Sequence, residues 1–230
     1  MTDFFNITAK GRDAEIDIFG PIGDYGAFEE SVAASTFIKE LRALGKVSRL
    51  NLNIHSPGGS VWDALAMYRA VRDFPAEKVA HVSSLSASAA SFLMLAADRV
   101  EVAPEAHVMI HDPIMVAMVS SAAEAASIPV RWHQAKNAIL DIYERRTGAD
   151  RDHLSDLMAA ETWMVGEEIK EAGFADEVKA DTPKMRIAAG PLPTEILNKF
   201  RHVPSALTNR KPAPLNPEVA ARLEKLRAFK

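Results

Sequence analysis

The chain has 230 residues, 48% of them hydrophobic and 25% charged, with no cysteine and a formal net charge of −4. That length supports one domain with a sizeable core and some additional chain, and the composition is ordinary for a soluble globular protein. The lack of cysteine excludes disulfides, thiolate metal sites and cysteine nucleophiles.

In chain order, MTDFFNITAKGRD has no apolar run behind a basic start, so no signal peptide is expected. AEIDIFG (14–20) alternates and predicts a strand. Residues 28–45 have acidic residues early, Lys and Arg late and Gly45 as a stop, which predicts a helix. VSRLNLNIH (47–55) predicts a half-buried strand, and SPGGS (56–60) a turn. Val61, Ala64, Leu65, Tyr68 and Val71 then recur at helical spacing, with Ser60 as N-cap and Asp63 in the first turn. Residues 78–84 predict a strand, and the apolar run 87–97 a buried helix. That run is too short to span a bilayer, so no membrane partner is expected. Short strands come next at 99–103 and 107–111, then a long helix over 121–146 stopped by Gly148, in which Pro129 marks a kink or a late start. A short helix at 151–160, a helix at 166–173 ending in Gly173 and a strand at 174–178 complete the pattern. Alternating strands and helices predict an α/β fold with helices packed outside sheets.

Residues 183–230 hold ten Lys+Arg, three Asp+Glu and seven of the 13 prolines, a charge of +7 that leaves −11 on residues 1–182. We expect a folded domain over 1–182 and a Pro-rich basic tail over 183–230, with a short amphipathic helix at 217–229. The tail lacks interleaved aromatics, which argues against sequence-specific nucleic-acid recognition. It reads instead as an assembly or processing segment. The seven histidines are scattered and form no HExxH, so neither a metal nor another cofactor is expected.

Three stretches carry chemistry. Ser56-Pro57-Gly58-Gly59 joins a strand to a helix, and its paired glycines let the backbone approach another group and point N–H groups at it. Alone, it reads first as a tight strand-to-helix turn, since Pro-Gly-Gly is common in turns. Leu85-Ser86-Ala87-Ser88-Ala89-Ala90-Ser91 sets three serines among small residues at a helix start, where free N–H groups favour developing negative charge. Alone, it reads first as a close-packed helix with back-bonded serines, since small-residue helices are ordinary. Val108-Met109-Ile110-His111-Asp112-Pro113 ends a strand in a histidine that can serve as a base, or as a structural residue bonded to backbone. Together they offer the nucleophile, base and oxyanion donors of acyl transfer, on separate loops that a parallel sheet can bring together.

Ile54-His55-Ser56-Pro57-Gly58-Gly59-Ser60 resembles the INSPGG motif of the Clp protease proteolytic subunit family. Residues 84–91 resemble that family's nucleophile stretch, and 108–113 its VMIHxP stretch. Glu161-Thr162-Trp163-Met164 with Glu167-Glu168 and Ala172-Gly173-Phe174-Ala175-Asp176 resembles its D-R-x-[FY]-[LM]-[ST]-A-x-E-A-x-x-[YL]-G-[LI]-[VI]-D segment. The resemblance covers about residues 14–180 in the family's order. It implies a Clp protease/crotonase-like ββα superhelix with the helix at 121–146 as a protruding handle. It implies a serine endopeptidase with catalytic Ser88, His111 and Glu161, the last standing where the family has Asp, and with Asp156, nearly a turn and a half earlier, as reserve. The oxyanion donors would be the amides of Gly59 and Ala89, with Gly58 beside them in the substrate-binding turn. The glycine-rich edge 57–60 would pair with an extended substrate by strand addition.

The resemblance further implies a polypeptide substrate, a homo-oligomer of stacked heptameric rings and a cytoplasmic location. ATP would enter only through a partner, an AAA+ unfoldase. Ser84 and His55 depart from the family pattern, the N-terminus is short for its axial-loop segment, and the basic tail is additional. These features resemble the phage-encoded head-maturation branch, with a capsid or scaffold protein as partner and a phage-infected cell as location. The resemblance places the handle at the ring-to-ring contact, and Trp132, Ile139, Leu140, Ile142 and Tyr143 give it more apolar surface than a solvated helix needs; the alternative is that they pack on the chain's own core. Three other readings compete. A crotonase-type acyl-CoA enzyme would not need the serine–histidine pair. A serine–lysine protease would need a lysine near the His111 motif, and Lys136 and Lys170 lie in helical contexts. A non-catalytic ring or assembly module of the same fold would keep the architecture alone.

Overall fold

The structure, a computed structural model, describes residues 5–23, 31–115, 117–180, 197 and 200–208. Most of the tail, including the helix expected at 217–229, lies outside the described residues. The chain divides into two units, Met1–Gly190 and Pro191–Lys230.

In the first unit, strands β1 (Phe5–Lys10) and β2 (Asp13–Phe19) pair antiparallel through a turn in which Gly11 takes φ +65°. β1 falls where the sequence suggested no element: it is a short edge strand with little periodic signal. β2 then pairs parallel with β3 (Arg49–Ser56), and helix α1 (Ala34–Ala43) crosses between them. α1 starts later than the helix expected over 28–45. The reason is extended pairing: the Val32 N–H donates to Pro21 O and Val32 bridges to Ile22.

Helix α2 (Val61–Arg72) comes next, and the Ser60 hydroxyl accepts the Asp63 N–H as the cap predicts. Strand β4 (Glu77–Ala87) overruns the expected strand and takes Ala87 from the expected helix, which is reduced to α3 (Ala89–Leu93) and a 3-10 turn (Met94–Ala96). The rest are β5 (Arg99–Val102), β6 (His107–Ile110), α4 (Ala122–Thr147), α5 (Arg151–Ala159), β7 (Thr162–Val165), α6 (Glu167–Glu171) and β8 (Glu177–Val178). α4 begins upstream of Pro129 and continues through it, so no late start occurs. Its ends match the sequence signals: Ser121 caps it by accepting the Glu124 N–H, and Gly148 closes it in the left-handed conformation at φ +69°.

The sheet runs β1-β2-β3-β4-β5-β8, with β6 pairing β4 and β7 pairing β6. β4 is parallel to both β5 and β6 along one edge: residues 79–82 face β5 and residues 85–87 face β6. Between those two stretches its register with β3 jumps, from Ile54↔Val82 to Ser56↔Ser86. The C-terminal ends of β4 and β6 therefore lie side by side, and their loops meet.

Ile16, Ile18, Leu52, Ile54, Ala80, Val82, Val100 and Val102 face a core filled by Phe37 and Leu41 of α1, Met67 and Val71 of α2 and Phe92 of α3. The alternate residues form a polar row across five strands: Asp17, Asn53, His81, Glu101 and Glu177 are successive register partners. Asn53 donates to Asp17 at 2.8 Å, His81 Nδ1 is 3.2 Å from Glu101, and Lys179 donates to Glu101 at 2.6 Å. Burial pushes the His81 imidazole below its ordinary value, against the pull of Glu101. A depressed folded pKa makes the stabilising contribution complete above the unfolded value of about 6.5 and loses it as pH falls below that. Stability is thus expected to decline on acidification through pH ~6. In urea titrations across pH 4.5–8, His81→Gln should flatten that decline; an unchanged pH profile would refute the assignment.

In the second unit, Leu197 is buried and α7 (Ser205–Thr208) is a single turn. Among the described residues, no helix is long and apolar enough to cross a membrane.

Candidate active site

Ser88 lies between β4 and α3 with φ +53° and ψ −123°, a conformation that non-glycine residues rarely adopt. Three hydrogen bonds hold it there. Its N–H donates to Met109 O of β6 at 2.8 Å, and its carbonyl accepts from the Ser91 N–H at 3.0 Å and the Ser91 hydroxyl at 2.5 Å. A sharp strand-to-helix turn of this kind lifts a hydroxyl clear of the backbone. Ser88 Oγ is 2.7 Å from His111 Nε2, and both residues are half-buried. His111 is the first residue after β6, and Ala87 is the register partner of Met109, so the sheet itself brings the two together.

The Pro-Gly-Gly turn packs directly on this elbow. Ser56 donates its hydroxyl to Gly20 O at 2.6 Å and accepts the Gly58 N–H at 3.1 Å. Gly58 O then accepts from Ile22 N–H at 2.9 Å, and Ser60 N–H donates to Ile22 O at 2.8 Å. In a parallel bridge of this form, the intervening residue directs its own N–H and C=O away from the partner. Gly59 bridges Ile22 in this way, so its amide faces the opposite edge. Ile22 takes one edge of 57–60, and any added strand would use the Gly59 edge. A Cβ on Gly58, at φ +87°, would stand 2.7 Å from both Ser88 Cβ and Ala89 N, so only glycine allows this approach. Ala89 opens α3, so its N–H has no partner within the helix.

β7 runs antiparallel to β6, with Ile110 opposite Thr162. His111 and Glu161 are the next residues beyond that last pair, one on each strand's side. Glu161 is 6% exposed and, like Ser88, has a positive φ, +54°. Asp156 is exposed on the outside of α5. Of the two acids, the buried one on the His111 side is Glu161.

Two expectations need correcting. Lys136, although helical, is close in space to the His111 motif: its ammonium is 2.8 Å from Asp112 Oδ1. It is engaged there, while the group bonded to Ser88 is a histidine, which is not the serine–lysine arrangement. Of the two readings of the apolar residues on α4, core packing holds for most: Ile139, Leu140, Ile142 and Tyr143 are buried in the chain's own core, so they are not a ring-to-ring surface. The exposed apolar side chains of this region are Ile114, Met118, Val119 and Val130. Sequence reasoning also missed Tyr143 and Ile22 as neighbours of the site. Ser91, three residues from Ser88 on one helical turn, was the available signal for Tyr143's partner.

A family model described as Clp protease matches residues 20–182. The chain is 28% identical over 128 residues to the ATP-dependent Clp protease proteolytic subunit 1 of Protochlamydia amoebophila, which covers 54% of this chain and 62% of that protein. It is 30% identical over 135 residues to the ATP-dependent Clp protease proteolytic subunit of Chlorella vulgaris, covering 58% and 67% of the two chains. With the ATP-dependent Clp protease proteolytic subunit 2 of Corynebacterium diphtheriae it shares 26% identity over 145 residues, or 62% and 69%. The chain thus spans about two thirds of the length of these relatives.

Proposed function

Because this chain belongs to the Clp protease family, a family of serine endopeptidases, we propose that it hydrolyses peptide bonds with Ser88 as nucleophile and His111 as general base. Glu161 orients the imidazole, and the amides of Gly59 and Ala89 receive the oxyanion. The observation that carries this reading is the 2.7 Å contact between Ser88 Oγ and His111 Nε2 on a turn of positive φ.

Each group has a defined part in the chemistry. His111 Nε2 takes the Ser88 proton as Oγ bonds to the scissile carbonyl carbon. The Nδ1–H directed at Glu161 steadies the imidazolium. The tetrahedral oxyanion accepts from the two amides, each such donor contributing ~3 kcal/mol to the transition state. His111 then returns the proton to the leaving amine, and a water, deprotonated by the same imidazole, releases the acyl group. The Gly59 edge suits an extended polypeptide read through its backbone, which gives broad side-chain specificity.

The same reading makes the chain a homo-oligomer, with stacked heptameric rings as the finer form. Its partners would be an AAA+ unfoldase or, for a head-maturation enzyme, a capsid or scaffold protein that engages the basic tail. The reaction would take place in the cytoplasm of a bacterium or a phage-infected cell. Exposed Ile114, Met118, Val119 and Val130 support association. The test is a fluorophosphonate reaction on the purified oligomer, with any adduct mapped by mass spectrometry. An adduct on Ser88, absent in Ser88→Ala, is expected. A folded oligomer without an adduct would reduce the chain to a non-catalytic module.

A further inference from the structure

One face of α4 touches the residues that adjoin both halves of the Ser88–His111 pair: Ser91 on one side, Asp112 and Pro113 on the other. On the serine side, the Tyr143 hydroxyl is 2.6 Å from Ser91 Oγ, whose own bond reaches Ser88 O at 2.5 Å. A carbonyl only accepts, so the Ser91 proton goes to Ser88 O and Tyr143 must donate to Ser91. Tyr143 is 1% exposed, and its ring meets Phe174 edge-on at 5.1 Å. Burial pushes its phenol well above the ordinary value, which keeps it a donor. On the histidine side, Lys136 pairs with Asp112, the residue after His111, at 2.8 Å. One helical turn earlier, Trp132 donates its indole N–H to Pro113 O at 2.6 Å, and the Lys136 ammonium sits 5.3 Å from the Trp132 ring centroid. Residues 132, 136 and 143 fall on one stripe of the helix.

We propose that α4 is a positioning element that sets the approach of Ser88 to His111. Tyr143, through Ser91, holds the nucleophile's carbonyl, and Lys136, through Asp112, holds the segment just after the base. The inference rests on the reading of Ser88 and His111 as nucleophile and base. Its physical content is that Ser88 occupies an unfavourable backbone conformation, so a hydrogen bond removed behind it lets the turn relax and Oγ drift. A displacement near 1 Å can cost about 100-fold in rate.

The test uses the full chain in its assembled state, with Tyr143→Phe and Lys136→Met. The first keeps the ring against Phe174 and removes only the hydroxyl. The second keeps an unbranched side chain of similar length and removes the ammonium, with its pairing to Asp112 and its contact with the Trp132 ring. For each, kcat and KM on a peptide substrate, the fluorophosphonate labelling rate at Ser88 and Tm are measured. The expected result is a fall of about 10- to 100-fold in kcat for each variant, an equal fall in labelling rate and a KM within about twofold. Ser91→Ala combined with Tyr143→Phe should be no slower than Ser91→Ala alone, since the two act in one relay. A lower Tm with kcat and labelling unchanged would make these contacts structural only and overturn the proposal. A fall confined to KM would overturn it as well. Failure of the unmodified chain to label at Ser88 would instead remove the nucleophile assignment, and this inference with it.

Discussion

Turnover of an unfolded polypeptide is expected to drop about 10⁶-fold in kcat when Ser88 becomes alanine and about 10⁴-fold when Glu161 becomes glutamine. The two magnitudes differ because the losses differ. Without Ser88 Oγ no acyl-enzyme forms, and only the oxyanion amides and substrate binding remain. With glutamine at 161 the imidazole stays in place. It loses the carboxylate that selects its tautomer and offsets its charge once it holds the serine proton. His111 and Glu161 are the residues directly beyond the last β6–β7 pair, Ile110 and Thr162, and Glu161 is buried, so a charge there would act through little solvent. Asp156 is exposed on α5 and should matter little: Asp156→Asn is expected to stay within about twofold of the unmodified chain. Steady-state kinetics on all three variants at matched oligomeric state decide the matter. If Asp156→Asn fell as far as Glu161→Gln, the assignment of the acid would be wrong.

Gly59→Ala is expected to lower Tm by roughly 10 °C and to leave no measurable peptidase activity. A Cβ at this position would run into Ile22 O and stand 2.8 Å from Ile22 N, both backbone atoms within the pairing that fixes the turn. The backbone angle, φ +152°, is itself unfavourable to any L side chain. Neither problem can be relieved by a rotamer change, so the turn must shift, at a cost of about 3–5 kcal/mol. For a chain of this size each kcal/mol corresponds to about 2–4 °C. Gly11→Ala is the control: it also has a positive φ, +65°, but its Cβ would meet nothing within 4 Å. It should cost only about 1 kcal/mol and leave activity intact. Equal effects of the two substitutions would mean that backbone conformation, rather than the Ile22 contact, makes Gly59 necessary.

The parts of this molecule that announced themselves in the sequence are those governed by local chemistry. Ser60 with Asp63, and Ser121 with Gly148, fix helix ends through groups a few residues apart, and they are where the pattern put them. The parts that did not are governed by pairing across the sheet. Residues 87–97 read as one helix because alanine-rich sequence favours it, yet Ala87 belongs to β4 because Met109 is its partner. Ser88 then takes a conformation that no propensity scale would assign. The apolar stripe of α4 was legible as a stripe, but periodicity does not say which neighbour it meets, and Tyr143 proved to face Ser91. Likewise, Lys136 reads as a solvated helical lysine until the fold brings Asp112 to it. The three chemical motifs were legible because each is a short run; their mutual distances were not.

Every element that closes the site joins it to another far along the chain: Ile22 to Gly59, Ala87 to Met109, and Ile110 to Thr162. During synthesis at ~5–20 residues per second, Ser88 leaves the ribosome several seconds before β7 and Glu161. Under the proposed roles, Ser88 would have no base until β6 has docked on β4, and His111 no orienting acid until β7 has docked on β6. On the proposed assignment, a half-made chain would present Ser88 without its base, because the pairing that brings the two together is made only when the later strands dock.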